Sequence, residues 1–257
     1  MKQRRGESMT QQAKKIRFEI LVVFALSLGA SAVYSIFSLL GKLTAPEGLA
    51  NQTATIHRQL AEREWLDLSY QLLGFTFGLA PVALVLFLLW EKSQSPFKTL
   101  GFDLTEPGRD LARGGALALA IGLPGLGLYI ASRFTGISAE VIPADLGSYW
   151  WTIPVLLLAA VNAALVEELI VVGYLFKRLS QLKVSIKSQI LVSALIRATY
   201  HLYQGFGGFI GNFLMGLVFG WLYQRWGRVM PLVVAHFLLD AAIFVGYSAL
   251  HGLLILP

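Results

Sequence analysis

Seven windows of this sequence, residues 18–40, 68–90, 111–133, 150–179, 188–203, 209–223 and 230–250, approach or exceed the about 20 apolar residues that cross the hydrocarbon core of a bilayer. Lipid offers no partner for a backbone N–H or C=O, so a continuous apolar run of that length must satisfy its own amides as a helix. The expectation is therefore an all-α, polytopic transmembrane bundle of about seven spans. An eighth, half-buried or re-entrant helix has room in 44–67, where 56–66 is of mixed polarity. Composition agrees: 56% of residues are hydrophobic and 14% charged, whereas soluble domains carry about a quarter charged residues. Mean hydropathy is +0.63.

Charge divides the chain further. Residues 1–17 form a basic tail, with Lys2, Arg4, Arg5, Lys14, Lys15 and Arg17 ahead of the first span. Ala30-Ser31-Ala32 is similar to a leader cleavage site, but the apolar run continues to Leu40, too long for a leader's core. It reads as a retained span. The loop after it is net acidic (Glu47, Glu62, Glu64 and Asp67 against Arg58 and Arg63). Lys92, Lys98, Arg109 and Arg113, then Lys177, Arg178, Lys183 and Lys187, then Arg225 and Arg228 fall in alternate loops. Positive charge marks cytoplasmic loops, so with seven spans the tail is cytoplasmic and the C-terminus outside. The net charge of +6 suits a membrane surface and calls for no nucleic acid. The sequence contains no cysteine, which excludes disulfides, thiolate metal sites and a cysteine nucleophile. The remaining divisions are 18–149, N-terminal spans and loops, 150–250, a transmembrane core, and 251–257, a C-terminal tail.

Within 150–257 the only acids are Glu167, Glu168 and Asp240, and all three lie in apolar runs, as do His201 and His236. Ionisable groups at membrane depth are costly and mark function by default. Arg197 and His201 are four apart and share one helix face; so do His236 and Asp240. Neighbours on an α-helix are about 100° apart, so only one of Glu167 and Glu168 can point squarely inward. A carboxylate with two imidazoles suffices to hydrolyse an amide. A desolvated glutamate acts as base toward water, one imidazole shares that water or protonates the leaving amine, and the other, oriented by Asp240, donates to the oxyanion. Glu167, His201 and His236 could instead hold Zn²⁺; spacing does not choose. Neither HExxH nor GxSxG occurs.

Plainer readings stand beside these. The glutamates could be a structural pair bonded to backbone or to Arg197, His201 an interfacial histidine beside Tyr200 and Tyr203, and His236–Asp240 one hydrogen bond joining helices. Arg197 is most simply a snorkelling flank residue. Gly207, Gly211, Gly216 and Gly220 suit close helix packing. Trp65, Trp90, Trp150, Trp151, Trp221 and Trp226 read as interfacial anchors. Asn162 could support the glutamates, while His57 and His251 fall near loops or the terminus with no evident partner.

Glu167-Glu168-Leu169-Ile170-Val171-Val172, Arg197-Ala198-Thr199-Tyr200-His201 and His236-Phe237-Leu238-Leu239-Asp240 together resemble the EExxxR, FxxxH and HxxxN/D motifs of the CAAX prenyl protease and bacteriocin-processing (CPBP, Abi) family of intramembrane endopeptidases. The resemblance covers roughly 150–247. It implies a helical bundle whose conical cavity holds the site, with Glu167 as the water-activating base assisted by His201. His236 and Asp240 would polarise the scissile carbonyl, which makes Glu167, Glu168, His201, His236 and Asp240 the catalytic set and Arg197 its support. Two positions depart from the family pattern: Val172 stands at its arginine and Arg197 at its phenylalanine. The expectation is that the cation has changed helix and that Arg197 pairs with Glu168. The departure also leaves room for an inactive member.

The leading expectation is a multipass peptidase of the cell membrane, acting on a peptide or protein among membrane lipids. The alternatives are a non-catalytic scaffold or peptide-immunity protein of the same fold, and a proton-coupled transporter. A transporter should show inverted repeats, and the sequence has no such symmetry.

Overall fold

The computed structural model describes residues 2–251, with side chains over 10–247. Met1 and most of the expected tail, 252–257, lie outside the described residues. In chain order the elements are α1 (Lys2–Ala25), α2 (Leu28–Thr44), β1 (Thr53–Arg58), α3 (Glu64–Gly78), α4 (Ala80–Leu88), α5 (Pro96–Leu100) and α6 (Pro107–Phe134). They continue with β2 (Glu140–Asp145), α7 (Thr152–Glu167), a π-helical stretch Glu168–Tyr174, α8 (Leu175–Gln181), α9 (Ile186–Tyr200), α10 (Phe206–Trp226) and α11 (Met230–His251). Prolines open α4, α5 and α6, where a missing N–H costs nothing. Gly101 closes α5 in the left-handed region at φ 62°. A Cβ there would lie 2.5 Å from Arg228 Cα, so only glycine permits the chain after α10 to pass so close.

The helical bundle is as expected; the span count is not. Among the described residues five helical stretches, 64–88, 107–134, 152–181, 206–226 and 230–247, are long and apolar enough to cross a membrane. A sixth crossing is available if α1 and α2, bent by 55° between Ala25 and Leu28, act as one. The fifth expected span, 188–203, falls on α9, whose 15 residues extend about 22 Å, short of a core about 30 Å thick. The eighth helix expected in 44–67 is replaced by a 3-10 turn at Leu49–Asn51 and by β1. β1 pairs in parallel with β2, from Thr53 opposite Glu140 to Arg58 opposite Asp145. The basic tail is part of α1.

The stretch 152–181 is the axis of the bundle. Of its most apolar window 61% is buried against protein, against 11–33% for the other candidate spans. α11 packs on it and on α6, while α9 packs on α10 and on α2. α9 still joins the two ends of the molecule. Near its start the Gln189 side chain accepts from Gln224 Nε2; past its end, Gly205 bridges to Ser138 beside β2. Arg228 ties to Asp103 and Asp110, and Arg178 to Glu19 and the Leu88 carbonyl, all at the end opposite the β-pair. Of the tryptophans, Trp65, Trp90, Trp150 and Trp221 are exposed as anchors should be, but Trp151 is buried with its indole N–H on Glu64.

Candidate active site

The π-helical stretch begins at Glu168, directly after Glu167 ends α7. Its wider turn, with i→i+5 bonds, lets successive residues face more nearly the same way than an α-helix would. Both glutamates consequently point into the bundle, and the geometry expected from a regular helix is corrected. The loosened ladder also frees carbonyls: Ser193 Oγ of α9 donates to Val171 O at 2.9 Å, so α9 docks on the irregular stretch.

Arg197 sits on α9 opposite this stretch and is fully buried, not snorkelling. Its Nη2 donates to Glu168 Oε1 at 2.6 Å and its Nη1 to Glu167 Oε2 at 3.2 Å. The guanidinium also lies over the Phe219 ring, 5.3 Å from its centroid. Val172, at the family's arginine position, is a buried core residue beside Phe176, Phe219 and Leu232. The positive charge thus reaches the glutamates from the facing helix. A lone buried carboxylate pair would be strongly unfavourable, and this cation with its two hydrogen bonds offsets that cost.

The two glutamates differ in access. Glu168 and Arg197 side chains are 0% exposed, whereas Glu167 keeps 11%, His201 17% and Asp240 20%. Glu168 Oε1 also meets His236 Nδ1 at 2.7 Å, so this sealed carboxylate holds Arg197 and His236 in place. Glu167 Oε2 accepts from the Tyr200 hydroxyl at 2.7 Å as well as from Arg197, which leaves Oε1 toward the open side. Oε1 lies 3.8 Å from His201 Nε2, and Oε2 lies 4.0 Å from His236 Nε2. These gaps exceed direct hydrogen bonds. His236 Nε2 lies 3.4 Å from Asp240 Oδ2. His201 Nε2 is buried with no partner among the described residues, and Gln204 Nε2 approaches its Nδ1 at 3.5 Å.

The six residues expected from sequence, Glu167, Glu168, Arg197, His201, His236 and Asp240, thus converge from α7, the π-helical stretch, α9 with the turn after it, and α11. Tyr200 was missed. It lies three residues from Arg197 and so on the same face, and that spacing was the available signal. Asn162 does not join them: its Nδ2 donates to the Phe75 carbonyl at 2.9 Å, fastening α3 to α7. His57 is not in an open loop but on β1, edge-on to Phe244 of α11 at 4.6 Å. The side chain of His251 lies outside the described residues.

Ligand atoms of Glu167, Glu168 and His236 lie within 4.8 Å of one another, a compass that admits a metal ion. Arg197 donates to Glu167 Oε2 and Glu168 Oε1 from a sealed position and competes for those two oxygens, while Glu168 Oε2 is buried without a hydrogen-bond partner among the described residues. His201, a ligand in the zinc reading, is outside that group.

Neither the curated proteins nor the solved structures gave a match. The family model described as Rce1-like, type II CAAX prenyl endopeptidase, matches residues 149–242. That range contains every member of the cluster, and over it the chain is similar to that family of membrane endopeptidases.

Proposed function

We propose that the protein is an intramembrane endopeptidase in which Glu167 activates water to hydrolyse a peptide bond of a membrane-associated protein or peptide. One observation carries the reading. Of the two buried acids only Glu167 keeps access, with its free Oε1 facing His201 at 3.8 Å. A water held between Glu167 Oε1 and His201 Nε2 loses a proton to Glu167 as its oxygen attacks the scissile carbonyl carbon. The carbonyl oxygen becomes an oxyanion, which accepts from His236 Nε2–H; Asp240 orients that ring. Collapse of the tetrahedral intermediate breaks the C–N bond, and Glu167 returns its proton to the leaving amine. Tyr200 and Arg197 hold Oε2 and so fix which oxygen works. Glu168 is a positioning residue, since its sealed carboxylate touches Arg197 and His236 only.

The setting is a multi-pass membrane protein, proposed to lie in the cell membrane with the basic N-terminus cytoplasmic. The test compares membrane peptides from cells bearing the wild-type chain, Glu167→Gln and His236→Ala at equal protein abundance. The reading expects processed products with the wild type and none with either variant. Equal products from all three would favour the non-catalytic scaffold.

A further inference from the structure

His201 does not sit inside a helix. It caps the end of α9, with φ −99° and ψ 2°, and a short turn, Leu202–Gln204, follows at once. Helix ends fray, yet a misplacement of about 1 Å can cost a reaction about a hundredfold in rate. What holds that turn therefore decides how well the His201 imidazole is aimed at Glu167.

Among the described residues, the hydrogen bonds that tie the turn to other elements all come from residues before 149, outside the range the family model matches. Two come from α2. Ser35 Oγ accepts the Tyr203 N–H at 2.6 Å, and Lys42 Nζ donates to the Tyr203 carbonyl at 2.7 Å. Both polar groups of one peptide residue, two positions past His201, are thus taken by one helix. The third tie is from the segment before β2, where the Ala139 N–H donates to the Gln204 carbonyl at 3.1 Å.

The clamp is itself well supported. Ser35 is buried, and Leu39, one turn along α2, packs with Leu202 and Tyr203. Lys42 Nζ also donates to the Thr53 carbonyl at 2.9 Å, so its ammonium is fixed from the β1 side as well. Bonds from an ammonium are charge-assisted and stronger than neutral ones. From Tyr203 the hold passes to the ring of His201. The two rings lie 6.4 Å apart at 25°. Gln204 Nε2 donates to the Tyr203 hydroxyl at 3.0 Å and stands 3.5 Å from His201 Nδ1.

We infer that Ser35 and Lys42 of α2 are positioning residues for the hydrolysis: by holding the backbone of Tyr203 they fix the His201 imidazole opposite Glu167. Neither touches the reacting atoms, and both act through His201. The motif-bearing half of the chain then does not complete its own site; the N-terminal half supplies the clamp. This deepens the hydrolase reading and rests on it.

The test uses the full chain in lipid nanodiscs. Its probe is a quenched-fluorescent peptide copied from a junction that the wild type cleaves in the cell comparison above. Ser35→Ala and Lys42→Met should each lower kcat about ten- to a hundredfold. KM should stay within about twofold, since ground-state binding is not what the clamp serves. Lys42→Arg, which keeps the donors, should recover most of the lost kcat. Amide hydrogen exchange of 199–206 should quicken about tenfold or more in both variants, with other segments unchanged. Neither loss should exceed that of His201→Ala, through which both act. The two substitutions remove separate ties, so if one fails to fold the other decides. Wild-type kcat in the folded variants, a loss larger than that of His201→Ala, or no rescue by Lys42→Arg overturns the proposal. Faster exchange with wild-type kcat overturns the positioning role alone and leaves the hydrolase standing. If His201→Ala cleaves at the wild-type rate, the role of His201 in hydrolysis falls and the positioning role falls with it.

Discussion

Arg197 shows how one side chain can be both structural and functional. It is the cation for two buried carboxylates, and its removal leaves Glu167 with the Tyr200 hydroxyl and Glu168 with the His236 ring but neither with the guanidinium. Arg197→Met should therefore destabilise the protein by about 3–5 kcal/mol, the range for breaking a buried pair by taking away one member. Denaturant titration in micelles measures this, and a loss under 1 kcal/mol would mean the glutamates are satisfied some other way. Arg197→Met combined with Val172→Arg, which restores the family's arrangement, should recover part of the loss if the charge has only changed helix. Most of the site was legible at this scale because charges in an apolar run have few innocent explanations. Tyr200 was not, since a tyrosine near a helix end reads as an interfacial anchor until its hydroxyl is placed on Glu167.

Among the elements, α9 and α10 meet through glycine. A Cβ on Gly216 would lie 2.7 Å from Ala194 Cα, a backbone contact that no rotamer change relieves. Gly216→Leu should push α10 off α9 and cost about 1–3 kcal/mol, the range for overpacking. The same push shifts Arg197, which packs one turn from that contact, so hydrolysis should fall as well. Wild-type stability and activity in Gly216→Leu would show that the two helices do not rely on close approach. The small residues announced this packing in the sequence. The π-helical stretch did not announce itself, because an apolar run gives no local signal that separates i→i+5 from i→i+4 bonding. The β-pair was hidden for another reason: β1 and β2 lie far apart in sequence, and neither strand alone has a core-length apolar pattern.

Across the whole molecule, counting hydrophobic windows overstated the crossings. The window at 188–203 is apolar enough to suggest a span, but α9 is a short helix held inside the bundle by α2 and α10. The absence of cysteine makes sidedness directly measurable. Single cysteines at Ser93 and Ala61 should label with a membrane-impermeant maleimide from opposite sides, Ala61 from outside intact cells. Labelling of both from one side would contradict the orientation. The account finally depends on one carboxylate. The most direct measurement is the turnover of a cleaved peptide by the purified protein and by its Glu167→Gln variant, with melting temperature recorded for both. The prediction is a fall in kcat of about 10²–10⁴-fold with the fold intact; a Glu167→Gln protein that cleaves at the wild-type rate would contradict it.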